Sequence, residues 1–277
     1  MKGKRVLFFI LFILLALVTV VPCGWANEDR AKDLVAPYAY FTVSVPPATG
    51  PFTTHYLINN PQSWGITVNV KCYNDYFMRV GPVAGTTVTP GAHSIAYTDP
   101  VTLGLTTDPS FDGYGWCYFA SSDYFAVGFV TGISVGGNLI TTNNSRAIMS
   151  GTAQHMVTTQ LASVPYWTKE GSWDTYIIAL NPTTTAQTLT VSAYNSAGVL
   201  LGTWVTALSA RDMDWGTIAA LVGVPAYTSW GNADISISGR GFVGWVLGLN
   251  FTSYQAFIVP IPLSVSWVSE LGAGDRP

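Results

Sequence analysis

Hydrophobic and polar positions alternate along many short segments of this chain. The segment GITVNVKCY (65–73) places an apolar side chain at every second position from Ile66 to Cys72. The segment TLTVSAY (188–194) has the same period. A period of two with β-branched residues is typical of strands that bury one face. The pattern therefore predicts an all-β fold built from short strands.

Turn signals separate these segments. Asn-Pro pairs stand at 60–61 and 181–182, where asparagine favours a turn and proline cannot donate a hydrogen bond to a ladder. Helical periodicity is scarce. It is confined to a segment between Asp214, a candidate N-cap, and Gly223, a candidate stop signal. One short helix is therefore expected there.

Blocks of the sequence recur in the same order, with different loop lengths between them. Segment 54–74 aligns with 175–195 at a shift of 121, and seven of 21 positions are identical. The other recurring blocks are SVP (44–46, again at 163–165) and AVGFVTG (126–132, again as FVGWVLG at 242–248). Ordered recurrence indicates an internal duplication. We therefore predict two tandem antiparallel β-sandwiches, Ig-like or jelly-roll-like.

The recurring blocks and the composition together predict the domain boundaries. They are a secretory signal peptide (1–26), a polar N-terminal segment (27–36), a first β-sandwich (37–150), a linker (151–156), a second β-sandwich (157–268) and a polar tail (269–277). Each repeat has about 110–120 residues, which is an ordinary domain size.

The N-terminus has the three parts of a secretory signal peptide. A short basic segment (2–5) precedes an apolar run (6–21), and the small residues Gly24 and Ala26 suit a cleavage site. The apolar run is too short to span a bilayer comfortably. We expect a secreted protein, at the cell surface, outside the cell or in a periplasm, that meets the membrane only through this transient peptide.

Charge excludes one class of partner. The chain without residues 1–26 has nine basic and 15 acidic residues. Nucleic-acid binding needs a basic surface, so DNA and RNA are not expected partners. Only 10% of residues are charged and 49% are hydrophobic, which allows a large core.

Two cysteines remain after the signal peptide. In the second repeat, alanines stand at both corresponding positions: Ala193 for Cys72 and Ala233 for Cys117. Two facing alanines are a small-volume counterpart of a bonded cysteine pair. An exported protein also meets an oxidising compartment. We therefore predict a Cys72–Cys117 disulfide.

Catalytic motifs are scarce in the sequence. His55, His93 and His155 are scattered without metal-binding spacing, and there is no nucleophile elbow or phosphate-binding loop. A glycosidase would need two carboxylates that face each other, and no sequence pattern pairs them. We therefore expect that the protein is not an enzyme.

The segment DPSFDG (108–113) resembles the start of a calcium-binding loop. Asp108, Ser110 and Asp112 place oxygen atoms at alternate positions. The twelfth position is Phe119 and not glutamate, so the segment is not an EF-hand. Calcium is the one cofactor that the sequence suggests, and an ordinary aspartate-rich turn is the alternative.

Tryptophans supply the remaining candidates for a binding site. Trp167, Trp173 and Trp230 lie in segments that resemble loops, where an exposed indole can stack on a sugar ring or anchor an interface. Burial in a sandwich core is the alternative.

Three functions fit these features. The first is a non-catalytic structural or adhesive protein of the cell surface that self-associates, as a filament or surface-layer subunit, or binds other surface proteins. The second is a tandem carbohydrate-binding module that uses the loop tryptophans. The third is a secreted hydrolase without a recognised motif. The first is favoured, because low charge and many aromatic residues suit apolar contacts between proteins.

Overall fold

A computed structural model describes most of the chain beyond residue 30. The described ranges are 31–41, 52–75, 78–105, 113–135, 138–139, 149–155, 157–224, 229–239, 241–250, 256–261 and 268–270. The predicted signal peptide lies outside them. Within these ranges the fold is nearly all-β, as predicted, and its sheets are antiparallel and curled. No helix in the described ranges is long and apolar enough to cross a membrane.

The described residues of the N-terminal half (31–155) form ten strands. They are β1 (Ala31–Phe41), β2 (Phe52–Asn59), β3 (Val68–Asn74), β4 (Arg79–Val80), β5 (Thr86–Val88), β6 (Ile95–Thr98), β7 (Gly113–Val135), β8 (Asn138–Leu139), β9 (Met149–Thr152) and β10 (Gln154–His155).

In the C-terminal half (157–270), the part of the chain that the structure describes forms ten further strands and a helix. They are β11 (Val157–Thr159), β12 (Leu161–Lys169), β13 (Trp173–Leu180), β14 (Gln187–Asn195), β15 (Leu200–Leu208), β16 (Met213–Thr217), α1 (Ile218–Leu221), β17 (Ser229–Ile237), β18 (Val243–Asn250), β19 (Ala256–Pro260) and β20 (Val268–Glu270).

The 23-residue strand β7 organises the N-terminal half. Its first part (113–120) lies between β1 and β3, and its second part (126–133) lies beside β2, with β9 on the other edge. The sheet therefore curls at β7, and its two parts pack on each other. Between them the ring of Tyr56 meets Phe119 edge-on, and the Tyr56 hydroxyl donates to Cys117 Sγ.

Two four-stranded sheets form most of the C-terminal half. The outer sheet has the order β12-β17-β14-β15, and the middle sheet has the order β16-β13-β18-β19. In the N-terminal half, β1-β7-β3 and β6-β2-β7-β9 have the same arrangement, with the two parts of β7 in the places of β17 and β18. Strands β11 and β20 form a separate pair.

The middle sheet is buried on both faces. Ile177, Ala179 and Val246 point to the outer sheet and belong to one hydrophobic core. Ile178 and Trp245, which lie opposite each other on the other face, belong to the core of the N-terminal half. Apolar side chains therefore fill both faces of β13 and β18, which is why these strands have runs of apolar residues instead of a strict alternation.

Hydrogen bonds fasten the N-terminal half to the middle sheet. Trp116 Nε1 donates to the carbonyl oxygen of Arg211 over 3.2 Å, and Gln154 Nε2 donates to the carbonyl oxygen of Gly244. The two halves are therefore held together by directed bonds as well as by a shared core.

Three of the expected domain boundaries lie within paired strands. The segment 27–36 was expected to be polar and outside the sandwich, but β1 begins at 31, and Leu34 is buried in the core. The expected linker 151–156 contains the end of β9 and all of β10, which pair with β7 and β1. The start of the expected tail (269–277) pairs with β11. Short apolar stretches at these places form the strand contacts.

The strand register confirms the predicted disulfide. Cys72 and Cys117 are direct partners on β3 and β7, both side chains are fully buried, and they form a disulfide. Ala193 and Ala233 are direct partners on β14 and β17.

A buried asparagine closes a turn in each half. Asn60 Nδ2 donates to the carbonyl oxygens of Trp64 and Gly91, both at 2.7 Å. Asn181 does the same with Thr185 and Ser209, at 2.8 and 2.7 Å. Each side chain is fully buried, so the hydrogen bonds satisfy polar groups that would otherwise cost free energy.

The sequence match between 126–132 and 242–248 is one residue out of register with the strand pairing. That match places Trp245 at the position of Phe129. In the sheets, Phe129 pairs with Tyr56 and points into the N-terminal core, whereas Trp245 pairs with Ile178 on the opposite face. A slip of one residue exchanges the two faces of a strand.

The expected helix is present but begins later than predicted. Helix α1 spans four residues, and its N-cap is Thr217, whose Oγ1 accepts from the backbone N–H of Ala220. Asp214 lies in β16 instead. The three residues after Asp214 continue that strand, because they pair with β13.

We predict that the Cys72→Ala/Cys117→Ala double variant folds, because the C-terminal half has alanines at the same paired positions. Its free energy of unfolding should fall by about 4 kcal/mol, the loop-entropy value for a span of 45 residues. Denaturant unfolding of the oxidised protein and the variant measures the difference. Equal stabilities would contradict the disulfide's stabilising role.

Candidate functional site

The disulfide does not supply a reactive centre. Both cysteine sulfurs are consumed by the disulfide. The calcium candidates Asp108, Ser110 and Asp112 lie outside the described residues, so the prediction remains open. Among the described residues, no group of three histidine, cysteine or acidic side chains is placed to hold a metal ion.

Acidic side chains gather where the two halves meet. Burial raises the pKa of the Asp212 carboxyl, two backbone hydrogen bonds oppose the shift, and the charges of Asp214 and Asp75 raise it further. Tyr114, beside them, stacks edge-on against Trp215, and burial likewise raises the pKa of its phenol. Asp212 Oδ2 accepts a hydrogen bond from the backbone N–H of Ser209, so this carboxyl stabilises the turn before β16.

The three predicted tryptophans lie in strands and not in loops. Trp167 is fully buried in β12, and its Nε1 donates to the carbonyl oxygens of Tyr194 and Asn232. Its ring is therefore part of the core of the C-terminal half. Trp173 is half-buried at the start of β13, and Trp230 is 48% exposed on β17.

A β-bulge explains why Trp167 points inward. The register of β12 against β17 shifts between Val164 and Trp167. Without the bulge, strict alternation from Val164 would bury Tyr166 and expose Trp167. The extra residue reverses the two, so Tyr166 is 49% exposed.

The exposed aromatic residues border a pocket at one end of β12, β13 and β17. Tyr166, Thr168, Glu170 and Trp173 line it; it is open to solvent and has a volume of about 280 Å³. Trp230 adjoins this lining, because its ring centroid lies 6.3 Å from that of Tyr166. We call these five side chains the aromatic pocket. Two of the predicted tryptophans are therefore brought to one place, and the third is not.

The turn between β12 and β13 builds the aromatic pocket. Gly171 has a positive φ of 58°, and the backbone N–H of Trp173 donates to the carbonyl oxygen of Glu170 over 3.0 Å. This tight turn sets Glu170 and Trp173 side by side. Beside it, Lys169 and Asp174 form an ion pair, which leaves Glu170 as the acidic group of the lining.

Thr168 is the unusual member of the aromatic pocket. Its side chain is buried, and among the described residues its Oγ1 has no hydrogen-bond partner. Its backbone N–H is satisfied by Thr175 Oγ1 at 3.0 Å. Sequence reasoning missed Tyr166, Thr168 and Glu170, although all three lie in the segment PYWTKEGSWD that contains Trp167 and Trp173.

A second surface lies on the N-terminal half, on the outward side of β2 and β6. Leu57 and Tyr97 are direct partners there, and Ile95 lies on the same side of β6. All three are exposed, Ile95 by 62% and Tyr97 by 52%. We call Leu57, Ile95 and Tyr97 the exposed sheet face. Large apolar groups grouped on a surface are typical of an interaction site.

His55 lies on the same side of β2 as Leu57, but it is buried. Its ring stacks on Tyr97 with centroids 5.2 Å apart, and its Nδ1 is hydrogen-bonded to the Tyr97 hydroxyl. Burial lowers the pKa of His55, and the charge of Asp99 partly opposes this. Since Nε2 is also buried and has no partner among the described residues, the site favours a neutral imidazole.

Comparisons with known proteins do not assign the chain to a family. No family model matches it, and a search of curated proteins gives no match. One solved structure with similarity is "Crystal Structure of Bacteroides Uniformis beta-glucuronidase", at 10% identity and a TM-score of 0.16. The match covers 76% of this chain, and this chain spans 25% of that one. A TM-score this low carries no argument about fold or activity.

We predict that His55 makes the folded protein less stable as the pH falls below 6.5. In the unfolded chain the imidazole takes up a proton near that value, whereas the folded state resists protonation because its pKa is lowered. Its contribution to stability is therefore complete above pH 6.5 and is lost below it.

Thermal unfolding from pH 7.5 to about pH 5 measures this dependence. The His55→Gln variant, which cannot be protonated, should lose less stability over this interval than the wild type. Parallel pH profiles for the two proteins would contradict the prediction.

Proposed function

We propose that the protein is a secreted, non-catalytic structural or adhesive protein that self-associates through its exposed sheet face. The observation that carries this proposal is the grouped exposure of Leu57, Ile95 and Tyr97 on one side of β2 and β6. The partner is a second copy of this chain.

The corresponding face of the C-terminal half supports the proposal that another sheet covers the exposed sheet face. By strand pairing, Leu57 and Ile95 correspond to Ile178 and Met213. These two residues are buried against the N-terminal half. The N-terminal half therefore covers two of the three corresponding positions in the C-terminal half, whereas Trp215, the counterpart of Tyr97, is 39% exposed. In the N-terminal half all three positions are exposed.

A closed pair of chains is favoured over an open stack. Extending the contact between the halves from chain to chain would need aromatic residues at the two positions of β17 that correspond to Trp116 and Tyr118 of β7. Asn232 and Asp234 stand at the corresponding register positions, and both are exposed. These two positions lack the aromatic side chains that join the two halves, so they do not support a further copy stacked on this face. Two exposed sheet faces therefore meet each other across a two-fold axis.

We also propose that the halves are tandem β-sandwiches that arose by duplication. The recurring sequence blocks, the shared strand order and the paired alanines that replace the disulfide support this. The roles of Asn60 and Asn181 support it further, because each makes the same kind of turn-closing bonds. The two sandwiches then differ mainly in one face: that of β13 and β16 packs on the N-terminal half, and that of β2 and β6 is exposed.

Secretion is proposed from two features. The N-terminal sequence has the form of a signal peptide, and the disulfide is consistent with an extracellular or periplasmic protein. A non-catalytic role is proposed from the absence of catalytic motifs in the sequence.

We predict that the purified protein without residues 1–26 is a dimer. Light scattering after size exclusion should give the mass of two chains. Ile95→Ser should shift the equilibrium toward the monomer, because it removes an apolar contact and leaves the core in place.

Val205→Ser is the matched control. Val205 is 60% exposed on β15, in the other half of the protein, and this variant should stay dimeric. A monomeric wild type would overturn the proposal, and so would an Ile95→Ser variant that dimerises as the wild type does.

A further inference from the structure

We infer that the aromatic pocket binds a neutral pyranose ring of an oligosaccharide. Tyr166, Thr168, Glu170 and Trp173 line the site, and Trp230 lies beside Tyr166 at its edge. The site lies in the C-terminal half, apart from the exposed sheet face. The inference is therefore independent of self-association.

The aromatic side chains supply the surface on which a sugar ring stacks. Tyr166 and Trp230 are each about half exposed, and their planes are tilted by 36° with centroids 6.3 Å apart. Trp173 adds part of the wall. Aromatic rings that combine an apolar face with a polar edge suit the C–H face and hydroxyl rim of a pyranose.

Polar groups of the lining match sugar hydroxyls. The Glu170 carboxylate can only accept hydrogen bonds when ionised, and a pyranose offers adjacent hydroxyl donors. The buried Thr168 Oγ1 lacks a partner among the described residues, which is costly unless a ligand or water bonds it. A few polar groups set in an apolar lining are the usual composition of a ligand pocket.

The acidic lining of the pocket favours neutral sugars over acidic ones. Glu170 lines the pocket, and Asp174 stands next to it in the ion pair with Lys169. A uronic acid or a sialic acid would bring a second negative charge to Glu170. Neutral hexoses and N-acetylhexosamines are therefore the expected ligands, and the volume of about 280 Å³ suits one ring at a time.

The test is a glycan array of neutral and acidic oligosaccharides, followed by titration calorimetry with the best neutral ligand. We expect binding to neutral glycans that weakens by at least about tenfold in Trp230→Ala and in Glu170→Gln. The matched control is Trp64→Ala. Trp64 is 53% exposed, it lies in the N-terminal half, and its removal should leave affinity unchanged.

Thr168→Val separates a ligand contact from a structural role. Valine has nearly the same shape but no hydroxyl, so the melting temperature should be unchanged or higher while the affinity for the glycan falls. Failure to bind every neutral glycan would overturn the inference, as would binding to acidic glycans alone. Full affinity in Trp230→Ala would also overturn it. None of these outcomes changes the expected dimer.

Discussion

Burial of the middle sheet on both faces is the constraint on which the rest of the structure depends. Strands β13 and β18 give alternate side chains to two different cores, so the outer sheet and the N-terminal half must both be in place to cover them. Trp116 and Gln154 fix the position of the N-terminal half by bonds to backbone carbonyls. The face left uncovered on β2 and β6 follows from this order of layers.

Local periodicity was sufficient to predict the all-β class and the disulfide. Alternation along 65–73 places Cys72 on the inward side of its strand. The alanines at the corresponding positions of the second repeat identify Cys117 as its partner. The same reasoning could not show that β7 runs through both parts of a curled sheet, because periodicity reports which side of a strand is apolar and not which strand lies beside it. It also could not show that Trp245 faces the other half, since that depends on a register one residue away from the sequence match.

Only part of the candidate sites could be predicted, because periodicity does not report the register of a strand. Trp173 and Trp230 belong to one pocket, but a bulge in β12 exchanged the sides of Tyr166 and Trp167. A single inserted residue has no signature in an alternation pattern. The exposed sheet face was also missed, because Leu57, Ile95 and Tyr97 resemble ordinary core positions of strands until the layer order shows that nothing within the described chain covers them.

Because the two halves share a core, we expect them to unfold together. Native-state hydrogen exchange on the Cys72→Ala/Cys117→Ala variant tests this expectation most directly, because the lost disulfide lies only in the N-terminal half. Amides of β13 and β18 should lose protection by the same factor as those of β3 and β7. Unchanged protection in β13 and β18, with loss confined to β3 and β7, would contradict a shared core.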